Sequence, residues 1–129
     1  MHRKLVLDTC GLLWLAAGGG NLSAVALEAV DDADLVMVSA ISAWEIGLKA
    51  AKGQLELSMH PREWFCRALK VHDLVLADLS VEILTHAKDL TWHHRDPADR
   101  FIIATAVIEQ CPIVTADRRF GQYGVTTLQ

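Results

Sequence analysis

Four acidic side chains of this sequence lie at the ends of short apolar runs or just beyond them. They are Asp8 after KLVL, Glu45 after VMVSAISAW, Asp99 ahead of RFIIATAVI, and Asp117 after PIVTA. Carboxylates that gather without a partner repel one another, and each raises the pKa of its neighbours. A hard divalent cation removes that conflict, because Mg²⁺ and Mn²⁺ prefer oxygen ligands. The pattern therefore predicts a metal-dependent active site.

Glu45 lies four residues before Lys49, a helical spacing that suits a surface ion pair worth only roughly 0.3 kcal/mol. However, Glu45 directly follows Trp44, and Ile41 and Leu48 flank it in the expected apolar stripe of the same helix. An acid beside a core stripe is harder to explain as solvated surface than one on a polar face. We therefore favour a functional role for Glu45.

The other acids also have structural explanations. Asp8 could cap the helix that follows it, and Asp117 could be an ordinary turn residue. Pro97 favours a helix start that makes Asp96 the N-cap and places Asp99 at the third helical position. The role of N-cap fully explains an acid at Asp96, but it explains the second acid, Asp99, only in part. We therefore expect Asp96 to be mainly structural and Asp99 to be a metal ligand.

Short β-type runs alternate with longer helical ones along the whole chain. We predict strands at 5–7, 35–39, within 74–79, at 112–116 and at 125–128, and helices at 9–17, 24–33, 41–52, from Pro61, 80–90 and 97–110. Continuous apolar strands separated by helices indicate a parallel sheet that is covered on both faces. The predicted fold class is α/β, a three-layer α/β/α sandwich with a central parallel β-sheet, in one domain over residues 1–129.

In this topology, residues that are distant in the sequence can meet at one edge of the sheet. Ligands of open parallel sheets bind in the crevice at the carboxyl ends of the strands. Asp8 directly follows the first strand, and Asp117 follows a strand that should neighbour it. Glu45 lies one turn into its helix, and Asp99 lies in the first turn of another. All four side chains can therefore reach the same edge of the sheet.

The composition favours a folded, reduced protein. Of the 129 residues, 52% are hydrophobic, which argues against disorder. The three cysteines form no CxxC pair, which is typical of an intracellular setting. The N-terminus resembles a secretion signal, but Asp8 interrupts its apolar region, and no stretch approaches the ~20 apolar residues of a membrane span. We expect a cytoplasmic protein.

The net charge of −4 gives no overall field that attracts nucleic acid. Four arginines nevertheless flank the acids: Arg95, Arg100, Arg118 and Arg119. They could be solvated residues with weak salt bridges, or they could contact the phosphates of a nucleic-acid backbone. The sequence leaves both explanations open. His93 and His94 lack the spacing of a zinc site.

The sequence resembles the PIN-domain ribonucleases, and within them the VapC-type toxins of toxin–antitoxin pairs. The matching segments are LVLDT, SAISAWEIGLK, HRDPADRFIIATA and IVTADRRF, in this order and with fitting spacings. The resemblance implies endonucleolytic cleavage of RNA at an acidic Mg²⁺ or Mn²⁺ site, a cognate antitoxin and a homodimer.

The resemblance also assigns individual residues. It implies an acidic quartet of Asp8, Glu45, Asp99 and Asp117, accompanied by Asp96. We expect Asp8, Asp99 and Asp117 to bind the metal and Glu45 to complete its shell or orient the attacking water. Small hydroxyl positions that could support the site are Thr9, Ser42 and Thr115.

Two other functions compete with this hypothesis. One is a metal-dependent DNA nuclease on a similar sheet, and the other is a non-catalytic, partner-binding PIN-like module. A phosphatase of the haloacid-dehalogenase type is disfavoured, because the first strand is followed by Asp8-Thr9-Cys10 and not by DxD.

Overall fold

A parallel sheet of five strands forms the middle layer of the computed structural model, which describes residues 3–90 and 96–129 and, at residue 118, the backbone alone. The strands are β1 Lys4–Leu7, β2 Leu35–Ser39, β3 Val75–Ala77, β4 Ile113–Val114 and β5 Thr127–Leu128. Their order across the sheet is β3-β2-β1-β4-β5, and all neighbouring pairs are parallel. β1 is therefore the central strand.

Six α-helices and one 3₁₀-helix complete the part of the chain that is described. They are α1 Thr9–Ala16, α2 Ala24–Asp32, α3 Ile41–Ala51, α4 Pro61–Val71, α5 Val81–Asp89, α6 Pro97–Glu109 and the 3₁₀-helix Arg118–Tyr123. The hydroxyls of Ser23 and Ser80 accept the N–H groups of Ala26 and Ile83, which fixes the starts of α2 and α5. Within these ranges no helix combines the length and apolar character that a bilayer span requires. The predicted elements are confirmed to within two residues at each end.

Alternating side chains of β1 supply both faces of the sheet. Leu5 and Leu7 point to one face and Val6 to the other, and all three are fully buried. The first face packs against the helices that carry Leu12, Ala26, Ile46 and Phe65. On the second face, Val6 packs with Ile102 and Ile103 of α6, and α5 lies against α6 in turn. The predicted α/β/α sandwich is confirmed.

The chain reverses its direction across the sheet next to β1. It first moves outward through β2 and β3, and it then returns to place β4 on the other side of β1. Leu7 pairs with Val38 of β2 and with Val114 of β4. Such a switch point opens a crevice at the carboxyl ends of the two strands it separates. Asp8 and Thr115 are the first residues past those ends.

The expected apolar stripe of α3 is wrong. Trp44 is 58% exposed and Leu48 is 36% exposed, whereas Ser42 and Ile46 are fully buried. The helix is therefore rotated from the orientation that its large apolar residues favour. A small hydroxyl residue faces the interior because α3 packs beside α1, close to the first residues after β1. The position of Glu45 follows from that contact and not from Trp44.

Candidate active site

A cleft of about 360 Å³ opens at the carboxyl ends of β1 and β4. Five carboxylates line it: Asp8, Glu45, Asp96, Asp99 and Asp117. They come from the ends of β1 and β4, from α3 and from the start of α6. The structure thus brings all four predicted acids, together with Asp96, to one edge of the sheet.

Three of these acids are close enough to share one cation. Glu45, Asp96 and Asp99 each offer a carboxylate oxygen, and these oxygens lie within 4.8 Å of one another. This trio differs from the predicted ligand set of Asp8, Asp99 and Asp117. Asp96 was expected to be mainly structural, and its carboxylate does accept the N–H of Ala98 at 3.0 Å as the cap of α6. The same carboxylate also faces the other two acids.

Asp8 is held rigidly at the floor of the cleft. It is 6% exposed, and its Oδ1 accepts the N–H of Gly11 at 2.6 Å as the cap of α1. Its Oδ2 accepts the hydroxyl of Thr115 from the end of β4. A side chain at Gly11 would lie 2.9 Å from the carbonyl oxygen of Val114 and 3.1 Å from Asp8 Oδ1. The missing Cβ therefore lets α1 start directly against this carboxylate.

Glu45 is oriented by a chain of two hydroxyls. The Thr9 hydroxyl donates to Glu45 Oε1 at 2.5 Å, and Thr9 Oγ1 lies 2.9 Å from Ser42 Oγ. Because Thr9 has a single hydroxyl proton, Ser42 must be the donor in the second bond. Ser42 is fully buried and Thr9 is 4% exposed, so competing water is excluded. Of the three hydroxyl residues predicted to support the site, Thr9 thus contacts Glu45 directly, and Ser42 contacts Thr9.

Asp117 is engaged differently from the trio. Its backbone N–H donates to Thr115 Oγ1 at 3.0 Å, so this one hydroxyl connects Asp8 and Asp117. Its carboxylate caps the 3₁₀-helix and binds the guanidinium of Arg119 through both oxygens, at 3.0 and 2.8 Å. A divalent ion that bound Asp117 directly would compete with Arg119 for the same oxygens.

The chain is similar to known proteins over nearly its whole length. The family model described as PIN domain matches residues 5–125. This chain belongs to the PIN-domain family. It is 31% identical over 119 residues to Ribonuclease VapC22 of Mycobacterium tuberculosis, an alignment that covers 92% of this chain and 91% of that protein.

Solved structures of low sequence identity share the fold of this PIN domain. A chain of VapBC2 from Rickettsia felis, bound to a DNA fragment from its promoter, superposes with a TM-score of 0.69 at 16% identity, covering 98% of this chain and 97% of that one. DNA-bound VapBC from Salmonella typhimurium gives a TM-score of 0.69 at 17% identity, covering 96% of both chains. FitAcB from Neisseria gonorrhoeae gives 0.64 at 19% identity, covering 97% and 96%.

Burial and mutual repulsion disfavour the ionised forms of the acids in this PIN domain. Burial, followed by the charges of Asp96 and Glu45, raises the pKa of Asp99 to about 8. Burial also raises the pKa values of Glu45 and Asp8, against the opposing effect of the hydroxyls of Thr9 and Thr115. Without a cation the cleft therefore retains protons that free carboxylic acids would release.

The arginines that flank the acids in the sequence do not all lie at the mouth of the cleft in the structure. Arg100 is 3% exposed, and its guanidinium donates to the carbonyls of Ala87 and Leu90 at the end of α5, at 2.8 and 2.6 Å. Neither explanation left open for Arg100, a solvated side chain or a phosphate contact, holds, because the side chain closes the end of α5 inside the protein. Arg119 is exposed beside Asp117. Arg95, like His93 and His94, lies outside the described residues, as does the side chain of Arg118.

Lys49 lines the acidic cleft, although the sequence suggested only a surface pair with Glu45. Burial raises the pKa values of Asp8 and Glu45, and the charge of Lys49 opposes that rise at both acids, which come from different elements. The spacing of four residues on α3 was the available signal, because it places both side chains on one helical face.

The metal-free protein should lose stability as the pH rises. The folded protein keeps a proton on Asp99 up to about pH 8, whereas the unfolded chain releases it near its ordinary value of 3.8. The free energy of unfolding should therefore fall between these two values, by roughly 1–3 kcal/mol after solvent screening. Urea denaturation in EDTA at about pH 5 and about pH 8.5 measures the fall.

Asp99→Asn, which mimics the protonated acid, should remove most of this fall and Mg²⁺ should restore stability at the higher pH. Glu28→Gln, an exposed change on α2, is the control and should keep the fall. Equal stability of the metal-free protein at both pH values would contradict a crowded acidic cleft.

Thr9→Val should weaken divalent-ion binding by about 10–100-fold, because it removes the donor that orients Glu45 while keeping the size of the side chain. Thr85→Val is the matched control, since the Thr85 hydroxyl bonds only backbone carbonyls on the exposed side of α5 among its described contacts. Isothermal titration calorimetry with Mn²⁺ compares the three proteins. An unchanged affinity in Thr9→Val would show that the hydroxyl chain does not position a ligand.

Proposed function

We propose that this PIN domain is a metal-dependent endoribonuclease and the toxin of a toxin–antitoxin pair. The observation that carries the proposal is the trio of Glu45, Asp96 and Asp99, whose oxygens lie within 4.8 Å of one another in a cleft that Asp8 and Asp117 also line. The similarity to a protein named as a ribonuclease, over nearly the full chain, supports the choice of RNA as substrate.

The donor atoms of the cleft fit Mg²⁺, with Mn²⁺ as a substitute. The trio offers carboxylate oxygens alone, which suit hard cations, and no described residue of the cleft adds a histidine. Glu45, Asp96 and Asp99 would hold the ion, with Asp8 and Asp117 completing its surroundings. A bound ion would supply positive charge for the attacking water and for the leaving oxygen of a phosphodiester.

The protein's own residues would position the water. Glu45 is oriented by the hydroxyl of Thr9, which is itself bonded to Ser42, and presents a carboxylate that can accept a hydrogen bond from the nucleophile. Cys10 also lines the cleft, but partial burial and the charge of Asp8 raise the pKa of its thiol. The thiol therefore stays protonated near neutral pH, and hydrolysis by water is favoured over a covalent cysteine intermediate.

Cleavage of RNA should require both a divalent ion and the acidic trio. Purified protein should cut single-stranded RNA in Mg²⁺ and stop in EDTA, and Asp99→Asn should lower kcat by roughly 100-fold or more, because it removes charge that holds the ion. Gel analysis of a labelled RNA of mixed sequence, with a DNA strand of the same sequence in parallel, measures the rates.

Asp32→Asn, at the exposed end of α2, is the matched control and should cleave at the wild-type rate. Cleavage that persists in EDTA and in Asp99→Asn would overturn the mechanism. Preferential cleavage of the DNA strand would show that DNA, and not RNA, is the substrate. Absence of cleavage of either strand would favour the non-catalytic module.

A cognate antitoxin is the proposed partner, because chains that share this fold come from structures named VapBC and FitAcB. An arginine or lysine of the antitoxin, placed among the carboxylates, would neutralise them in place of the metal. The homodimer and the cytoplasmic location that the resemblance implies stay predictions.

The antitoxin proposal predicts that the protein encoded beside this chain binds it and stops RNA cleavage. Excess Mg²⁺ should weaken that inhibition, since the ion and the basic side chain would occupy the same carboxylates. Titration of the partner into the cleavage assay at two Mg²⁺ concentrations measures this competition. Binding without inhibition would place the partner away from the cleft.

A further inference from the structure

Lys49 is a cation inside a strongly acidic cleft. Its half-buried side chain lines the cleft together with five carboxylates. Its ammonium group nevertheless forms no ion pair with any residue in the ranges 3–90 and 96–129. A lysine that only stabilised the fold would be expected to bind one of these acids directly. An unpaired ammonium group in this position is available to a ligand.

The position of Lys49 on α3 places it among the residues that line the acidic cleft. It lies one helical turn beyond Glu45, on the same face of the helix. Its charge opposes the rise in pKa that burial causes at Glu45 and at Asp8, which come from different elements. The side chain of Lys49 and the carboxylates of these two acids therefore line one cleft.

A nucleic acid substrate needs such a cation. Each phosphate carries a negative charge, and the cleft that must admit it is lined by five carboxylates. The other described basic residues near the site are engaged: Arg100 is buried at the end of α5, and both oxygens of Asp117 hold Arg119. Among the described side chains of the cleft lining, Lys49 supplies the positive charge.

We propose that Lys49 binds the non-bridging oxygens of the RNA phosphate that enters the acidic cleft. It is a substrate-binding residue that offsets the repulsion between this phosphate and the carboxylates. The inference rests on the proposed function, since RNA is the ligand. It goes beyond that function by assigning a phosphate contact to a residue of α3 rather than to the arginines near Asp99 and Asp117.

The proposal predicts opposite effects on the two ligands of the cleft. Lys49→Met should weaken binding of RNA, and it should reduce the slope of log K against log salt by about 0.7, the value for one lost contact to a single strand. The same change should leave binding of Mn²⁺ unchanged or make it tighter, because a neighbouring positive charge is removed. A lysine that merely supported Glu45 would instead weaken the binding of both ligands.

The experiment uses fluorescence anisotropy with a labelled single-stranded RNA of mixed sequence, in Ca²⁺, with a gel to confirm that the RNA stays intact. Lys52→Met is the matched control, because Lys52 is exposed at the end of the same helix and does not line the cleft. Lys49→Arg keeps the charge and should retain the wild-type slope. Thermal melting and calorimetry with Mn²⁺ complete the set for each variant.

A lower slope in Lys49→Met alone, with Mn²⁺ binding kept, supports the proposal. An unchanged slope, or an equal loss in Lys52→Met, overturns it even if the protein cleaves RNA. A lower slope in a protein that binds RNA but never cleaves it would leave the Lys49 contact standing and would refute the nuclease. Absence of RNA binding in the wild type would overturn both.

Discussion

Repulsion among the carboxylates at the carboxyl ends of β1 and β4 is the constraint on which the rest of this structure depends. Five acids share one cleft, and three of them lie within 4.8 Å of one another. The fold keeps them there although burial and mutual charge raise the pKa of Asp99 to about 8. Such an arrangement lowers stability without a cation, so its presence is best explained by binding and catalysis.

The scaffold holds Asp8 and Glu45 through hydroxyl groups and backbone geometry, whereas the carboxylate of Asp117 also binds the guanidinium of Arg119. Thr115 bridges Asp8 and the backbone of Asp117, and Thr9 connects Glu45 to the buried Ser42. Hydroxyl donors orient a carboxylate and leave its negative charge available to a metal, whereas a lysine or arginine would neutralise it. The central position of β1 makes these contacts rigid, because both of its edges are paired.

Most of the fold and the identity of the acids could be predicted from the sequence, because apolar runs and helix caps are local signals. The orientation of α3 could not: its large apolar residues favoured burial of Trp44, whereas contact with α1 buries Ser42 and Ile46. The roles of Arg100 and Lys49 were also hidden, since each depends on a distant neighbour. Arg100 closes the end of α5, and Lys49 faces acids from other elements.

The crossing order of the strands makes the acidic cleft depend on complete folding. β1 precedes the other described strands in the chain, but its second edge is paired only by β4, more than one hundred residues later. The trio gains two of its members only when the first turn of α6 is in place. A chain that ends before α6 and its N-cap thus carries Asp8 and Glu45 without Asp96 and Asp99, so the cation site of the trio can form only after α6 has been synthesised and has packed beside α3.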